Sequence, residues 1–293
     1  MRTLRVAVLM GGPSAEREVS LASGREVVKA LQMAGAGVTE VDVHDRDFRL
    51  PADTDVAFVA LHGTFGEDGE VQRILEERGV AYTGSGPAAS ALAFDKFAAK
   101  RALRVAGIPT PGAACMPPLV VKPARQGSSV GVTIVHVQSE LAEALAVAKR
   151  HDENVIVERF INGREFTVGI LGGRALPVVE IRTKHKFFDY TAKYTPGEAE
   201  EICPADIDAL TANQIQHLAR RAHDCLGCRD FSRVDVMGNG RHDFVVLEVN
   251  TIPGLTTNSL LPKAARAAGL SMEALCARLV EMALARRAET AVA

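Results

Sequence analysis

The sequence predicts a mixed α/β and α+β protein, with a parallel-sheet lobe at the N-terminus and two α+β lobes after it. Three observations carry this. The first third alternates strand-like and helix-like segments, the order that builds a parallel sheet wound by helices. A cluster of glycine, serine and proline, Tyr82-Thr-Gly84-Ser85-Gly-Pro87, then interrupts it. Near the C-terminus two strand-like runs, Phe231–Met237 and Phe244–Asn250, flank the turn-rich stretch Gly238-Asn-Gly-Arg-His-Asp243, a hairpin pattern.

Taken in order, Leu4–Met10 is an apolar run ending at Gly11-Gly12, and a helix follows whose apolar positions include Leu21, Val27, Val28 and Leu31. Val38–Val43 and Val56–Leu61 read as further buried strands, with a helix through Val71, Ile74 and Leu75. Ligands of such sheets sit at the carboxyl ends of the strands, which is where Gly11-Gly12 and His62-Gly63 fall. After the linker come one helix from about Ala88 to Ala106, strands Leu119–Lys122 and Val130–Val137, a helix over Glu140–Arg150 and a strand Val155–Glu158. Strands Glu165–Leu171 and Ala175–Ile181, a polar aromatic loop over 183–197, a helix near 208–226, the hairpin and a terminal helix complete the chain. Leu275, Leu279 and Met282 give the terminal helix a docking face, and its end after Arg286 is expected to fray. These boundaries suggest lobes at 1–85, 86–161 and 162–293.

The bulk properties exclude several classes. A chain of 293 residues, 47% hydrophobic and 24% charged, is an ordinary globular composition. A net charge of −2 leaves no electrostatic footprint for nucleic acid. No apolar run reaches spanning length, and Met1–Leu4 leads straight into a strand instead of a signal peptide. Five cysteines, an odd number, suggest free thiols in a reducing cytoplasm. Cys225-Leu-Gly-Cys228 reads as a helix end stopped by Gly227, with no second pair of soft ligands nearby.

Two segments suggest chemistry. Residues two apart in a strand share a face, so Arg233 pairs with Asp235 and Glu248 with Asn250. If the loop holds an even number of residues, for instance 239–244, Asp235 lies across from Glu248. Two carboxylates and an amide oxygen among apolar residues then suit magnesium or manganese, commonly delivered with nucleotide phosphates. The alternative is a charged, solvent-exposed strand face. Gln126–Gly131 is not a P-loop, since it lacks Gly-Lys-Ser/Thr and precedes a strand, yet a glycine-bearing loop can fold over a triphosphate. Lys122 just before it would add a point charge.

The succession Lys96, Lys122, Glu158, Glu165 and the acidic hairpin resembles the ATP-grasp fold, in which nucleotide lies between two α+β lobes. Four segments sharpen this: Gly11-Gly-Pro-Ser-Ala-Glu16-Arg-Glu-Val-Ser20, Ala60-Leu-His62-Gly-Thr-Phe-Gly-Glu67-Asp-Gly69, Lys122-Pro-Ala-Arg-Gln-Gly-Ser128-Ser-Val-Gly131 and Glu248-Val-Asn-Thr-Ile-Pro-Gly254-Leu-Thr-Thr-Asn-Ser259-Leu. Together with Tyr82–Gly86 and Phe187–Tyr194 they resemble the D-alanine–D-alanine ligase family of ATP-grasp enzymes, over nearly the whole chain.

The resemblance implies an N-terminal pre-ATP-grasp lobe and a two-lobed ATP-grasp region. It also implies a reaction in which ATP phosphorylates one D-alanine and a second attacks the acyl phosphate, supplying peptidoglycan precursors. Asp235, Glu248 and Asn250 would hold two Mg2+ or Mn2+ ions. Lys96 and Lys122 would contact phosphates, Glu158 and the backbone near Ile161 the adenine, and Glu165 the ribose. Glu16 and His62 would bind the first substrate, and Lys193, Ser259 and Leu260 the second. Ser128 and Tyr194 would close a hydrogen-bonded chain with Glu16, while Arg233 and the Gly254 N–H would stabilise the tetrahedral intermediate. A homodimer in the cytoplasm, without nucleic-acid or membrane partners, is also implied.

Each of these residues has a plainer reading: Glu16 as a first-turn acid, His62 as a polar strand end, Tyr194 as an interface aromatic. The stretch 109–119 is short, where relatives carry an additional strand and helix, so the central lobe is expected to be trimmed and slower to close over ATP. Tyr194 favours an amine nucleophile. A D-lactate or D-serine ligase, or a catalytically weak nucleotide-binding paralogue, are the alternatives.

Overall fold

The computed structural model describes residues 4–183, 199–238 and 243–292. Strands β1 (Arg5–Gly11), β2 (Gly37–Val43), β3 (Val56–Val59) and β4 (Ala81–Tyr82) form a sheet of order β2-β1-β3-β4, parallel at every pairing. Its central strand is apolar on both faces because both are covered. Val6, Val8 and Met10 pack towards α1 (Arg17–Met33), whereas Ala7 and Leu9 pack towards α2 (Glu70–Glu77) and the Phe48–Phe65 pair. The predicted parallel lobe is therefore present, and Gly12 and His62 lie just beyond the carboxyl ends of β1 and β3.

Two helices, α3 (Pro87–Phe94) and α4 (Lys96–Val105), stand where one was expected. Asp95 breaks the run: its backbone is extended (ψ 99°), and its carboxylate caps α4 by accepting from Phe97 N and Ala98 N. β5 (Leu119–Pro123), β6 (Thr133–Val135) and β7 (Val155–Arg159) form an antiparallel sheet of order β6-β5-β7 under α5 (Leu141–Lys149). β6 is shorter than the predicted 130–137 because Ser128, Ser129 and Gly131 have φ of 51°, 58° and 71°, values no strand accommodates. The short stretch before β5 runs along the outer edge of β7, pairing once at Ala113–Glu158, where Gly112 O accepts from Arg159 N at 3.0 Å.

The third sheet has the order β11-β10-β8-β12-β13, from Ala199–Ile202, Val179–Thr183, Arg164–Leu171, Phe231–Gly238 and Phe244–Asn250, with β9 (Arg174–Ala175) beside β8. Helix α6 (Ala209–Cys225) covers one face. It ends at Gly227 (φ 69°), where Cys228 N reaches His223 O and Gly227 N reaches Asp224 O, a Schellman closure that accounts for the Cys225–Cys228 spacing. α4 buries Ala99 and Leu103 in this same core, against Ile215 and Ala222 of α6.

Of the last two helices, α7 (Leu260–Ala267) packs on β8 through Leu261, and α8 (Met272–Val292) packs against α1 and the N-terminal sheet through Leu275, Leu279 and Ala283. α8 runs to Val292 and is anchored by Arg286. That residue pairs with Asp230 and donates to Tyr82 O at 2.7 Å, while Gly84 N donates to Asp230 Oδ2 at 2.9 Å. The glycine-rich linker is thus pinned to the C-terminal third of the chain.

Candidate active site

The hairpin register places Asp235 opposite Glu248, though not by the route expected from the sequence. Gly238 pairs with Phe244, leaving an odd loop of five residues (239–243), and a one-residue bulge at Leu247 then restores the register. Arg233 pairs with Asn250 on the same ladder. Within this cluster Arg233 grips Asp235 with two bonds of 2.9 Å, and Thr167 Oγ1 donates to Asp235 Oδ1 at 2.7 Å. Burial works against the Arg233 charge, but Asp235 outweighs it and raises the guanidinium pKa further. Lys96 Nζ lies 3.5 Å from Glu248 Oε2. Two carboxylates directly across an antiparallel pair, with an amide oxygen beside them, are a hard-oxygen donor set of the kind that could hold magnesium or manganese. Arg233 and Lys96 partly neutralise it, and Asn250 Oδ1 accepts from Ile252 N at 3.0 Å.

A cleft of about 430 Å³ lies between the second and third sheets, lined by Lys96, Lys122, Glu158, Ile161 and Glu165, with Arg233, Asp235 and Glu248 at its inner end. Lys122 Nζ is 2.6 Å from Glu158 Oε1, and Lys100 Nζ is 2.8 Å from Glu158 Oε2. Burial by itself would raise the Glu158 pKa, but the two ammonium groups outweigh it and hold it below the usual glutamate range. Lys96 donates to Gln126 O at 2.7 Å and so ties the glycine-serine loop to the metal-type acids. A second cleft of about 430 Å³ is lined by Glu16, His62, Ser128, Gly254, Ser259 and Leu260. The two share Lys96, Gln126, Arg233, Glu248 and Leu260, so they meet where the hairpin acids lie.

The second cleft depends on close backbone approach. Ser128 donates to Glu16 Oε1. A Cβ on Gly127 would lie 2.6 Å from Glu16 Oε2, and one on Gly63 would lie 2.7 Å from it, so only glycine leaves room for this carboxylate. His62 has Nδ1 3.0 Å from Ile252 O and Nε2 2.9 Å from Ser23 Oγ. A carbonyl only accepts, so Nδ1 carries the proton and Nε2 accepts from Ser23. A Cβ on Gly254 would meet Ser259 Oγ at 2.8 Å, while Ser259 stands at the N-cap position of α7 without a side-chain capping bond, so that Leu260, at the helix N-terminus, lines the cleft.

Of the residues selected from the sequence, the two clefts bring together Glu16, His62, Lys96, Lys122, Ser128, Glu158, Ile161, Glu165, Arg233, Asp235, Glu248, Asn250, Gly254, Ser259 and Leu260. Lys193 and Tyr194 lie outside the described residues. Three residues escape the sequence reading. Lys100 is buried, donates to Thr110 Oγ1 at 3.0 Å and has its pKa lowered to about 8, by burial and then by Lys122. Glu67, buried 3.6 Å from His62 Nδ1, has its pKa raised to about 6 by burial, against a lowering contact from His62. Thr167 holds Asp235. The four-residue spacing from Lys96 was a visible signal for Lys100; nothing local marks Thr167.

Known proteins match along the whole length. Residues 112–281 match the family described as D-ala D-ala ligase C-terminus, and residues 39–85 match its N-terminus counterpart. The chain belongs to the D-alanine–D-alanine ligase family. It is 47% identical to the D-alanine–D-alanine ligase of Syntrophotalea carbinolica, covering 97% of each chain, and 42% identical to that of Methylacidiphilum infernorum, covering 96% of each. Among solved structures it resembles the Bacillus anthracis D-alanine–D-alanine ligase complexed with ATP (TM-score 0.87, 34% identity, 99% of this chain and 100% of that one). It also resembles the VanG D-Ala:D-Ser ligase of Enterococcus faecalis (TM-score 0.85, 31% identity, 96% and 100%). The family's ATP-grasp fold is thereby the fold of this chain.

Proposed function

We propose that the protein is an ATP-dependent ligase that joins two D-alanine molecules into D-alanyl-D-alanine for peptidoglycan precursors. Family membership supports the reaction. The observation that supports the site assignment is the junction of the two clefts at Arg233, Glu248 and Leu260, where a phosphoryl donor in one would lie beside an amino-acid acceptor in the other. In the reaction a carboxylate oxygen of the first D-alanine takes the γ-phosphoryl group, and ADP leaves. The amine of the second D-alanine then attacks the acyl carbon, loses a proton and expels inorganic phosphate.

Positioned charge is the main need of phosphoryl transfer. Lys96 and Lys122 contact phosphates, Glu158 and the backbone at Phe160–Ile161 read adenine, and Glu165 holds the ribose. Asp235, Glu248 and Asn250 hold two Mg2+ or Mn2+ ions, whose charge when bound offsets that of the triphosphate. Arg233 and the Gly254 N–H face the oxyanion of the tetrahedral intermediate, where losing one donor costs about 3 kcal/mol. Glu16 binds the first ammonium beside His62. Lys193, Ser259 and the Leu260 N–H receive the second carboxylate. Ser128 and Tyr194 complete the chain to Glu16 that keeps water from the acyl phosphate. The lobes at 1–85, 86–161 and 162–293, a homodimer, and a place in the cytoplasm complete the reading; no helix among the described residues is long and apolar enough to cross a membrane.

Phosphate release and dipeptide formation with ATP, magnesium and D-alanine test it, with D-serine or D-lactate added in parallel. D-alanyl-D-alanine as the main product is the expected result. A mixed product in preference to it would move the second site to another nucleophile, and no product in any mixture would remove the ligase reading.

A further inference from the structure

One member of the buried ion set beside the nucleotide cleft, Lys100, has no part in the roles above. Lys100 stands one turn beyond Lys96 on α4, so both ammonium groups leave the same helix face. Lys96 lines the cleft, whereas Lys100 lies behind its wall, 2% exposed. Its Nζ is anchored by Thr110 Oγ1 at 3.0 Å and by Glu158 Oε2 at 2.8 Å. Lys122 holds the other Glu158 oxygen and does line the cleft. Two ammonium groups thus share one carboxylate, an excess positive charge that an incoming phosphate relieves. Lys122 is the partner free to turn towards that phosphate, while Lys100 is fixed at both ends.

We propose that Lys100 is a positioning residue: it keeps Glu158 charged and in place as acceptor for the adenine amino group once Lys122 has moved to the phosphates, and so sets the preference for adenine. The inference rests on the adenine role given to Glu158. Adenine presents an amino donor at its 6-position, but hypoxanthine presents a carbonyl there, which a fixed carboxylate repels. Without Lys100 the carboxylate follows its remaining partner, Lys122; the acceptor is displaced and the phosphate lysine held back. With Lys100 gone, Glu158 is left uncompensated whenever Lys122 turns to the phosphates, a costly state for a buried carboxylate. The Lys100 proton is weakened by burial and by Lys122, so departure of Lys122 strengthens the hold on Glu158.

The test compares the full chain with Lys100→Met, Lys100→Arg and Thr110→Val, measuring ADP and inosine diphosphate binding by calorimetry and the KM for ATP and ITP with D-alanine. For Lys100→Met, ADP binding weakens about tenfold or more while inosine diphosphate changes less than about threefold, and the KM for ATP rises by a larger factor than kcat falls. Lys100→Arg restores most of the preference. An unchanged ratio of ADP to inosine diphosphate affinity in Lys100→Met overturns the proposal. Should that variant melt at low temperature, Thr110→Val decides: a ratio reduced about threefold supports it, and an unchanged ratio overturns it. Wild-type protein that binds ADP selectively but makes no dipeptide would remove the ligase reading alone. Normal ligation with an unmoved nucleotide preference would remove this inference alone.

Discussion

In the nucleotide cleft, side chains are held by one another's charge: Lys122 and Lys100 on Glu158, Arg233 on Asp235, Lys96 on Glu248. In the amino-acid cleft, the decisive feature is space. Gly63 and Gly127 make room for the Glu16 carboxylate, and Gly254 for Ser259. Under the proposed function the first cleft would bind a ligand of high charge and exchange its internal ion pairs for phosphate contacts. The second would bind a small zwitterion and exclude alternatives by shape. Charge substitutions should therefore dominate the first cleft and volume substitutions the second.

Asp235→Asn gives the sharpest test. It keeps the shape but removes one negative charge from a buried pair, and turnover should fall by about a thousandfold or more, measured as ADP and phosphate release, while the fold persists. Turnover within tenfold of wild type would break the assignment of this hairpin. In the other cleft, Gly127→Ala adds a single methyl group where a Cβ would lie 2.6 Å from Glu16. A loss of about 10–100-fold in kcat/KM for D-alanine is expected. Gly112→Ala, with nothing within 4 Å, is the control and should change nothing measurable.

A smaller effect separates the clefts by pH. Glu67, whose pKa rises in the folded protein from 4.5 to about 6, binds its proton more tightly folded than unfolded. Stability from this group is full below about pH 4.5 and is lost as pH rises through 6, about 2 kcal/mol for a shift of that size. Urea unfolding of wild type and Glu67→Gln across this range should diverge by that amount, with wild type losing ground as pH increases. Glu158 has the opposite sign, because its pKa is depressed: its contribution vanishes as pH falls below the ordinary glutamate range. The smallest effect expected concerns the short stretch before β5. With the Ala113–Glu158 bridge the only one on that edge of β7 among the described residues, the KM for ATP should exceed by a few-fold, about 1 kcal/mol or less, that of any family member with the additional strand and helix that the resemblance implies there.

Much of this was legible in the sequence because it is local. Periodicity marks β1 and α1, and alternation along 231–237 and 244–250 puts Arg233 with Asp235 and Glu248 with Asn250. The hairpin register was right for an incomplete reason, since no residue pattern announces the bulge at Leu247 that compensates an odd loop. The break at Asp95 was available, as an aspartate one residue before a helical run is a strong cap, but the apolar residues on both sides read as one continuous helix. Lys100 and Glu67 were hidden differently. Each is a charged residue that sequence alone places on a solvated surface, and only tertiary packing buries it beside a partner distant in the chain. The Arg286 anchor on α8 was hidden for the same reason, because its partner, Asp230, is 56 residues away.

The position of α8 bears on how the protein is made. The N-terminal sheet leaves the ribosome early, but one of its faces is completed by Leu275, Leu279 and Ala283 of α8, far along the chain from β1 to β4. The nascent lobe must therefore carry an uncovered apolar surface for most of translation, a period in which chaperones or neighbouring polysome chains could engage it. Emergence of α8, more than that of any earlier segment, should mark the moment at which this face of α1 and β3 becomes inaccessible.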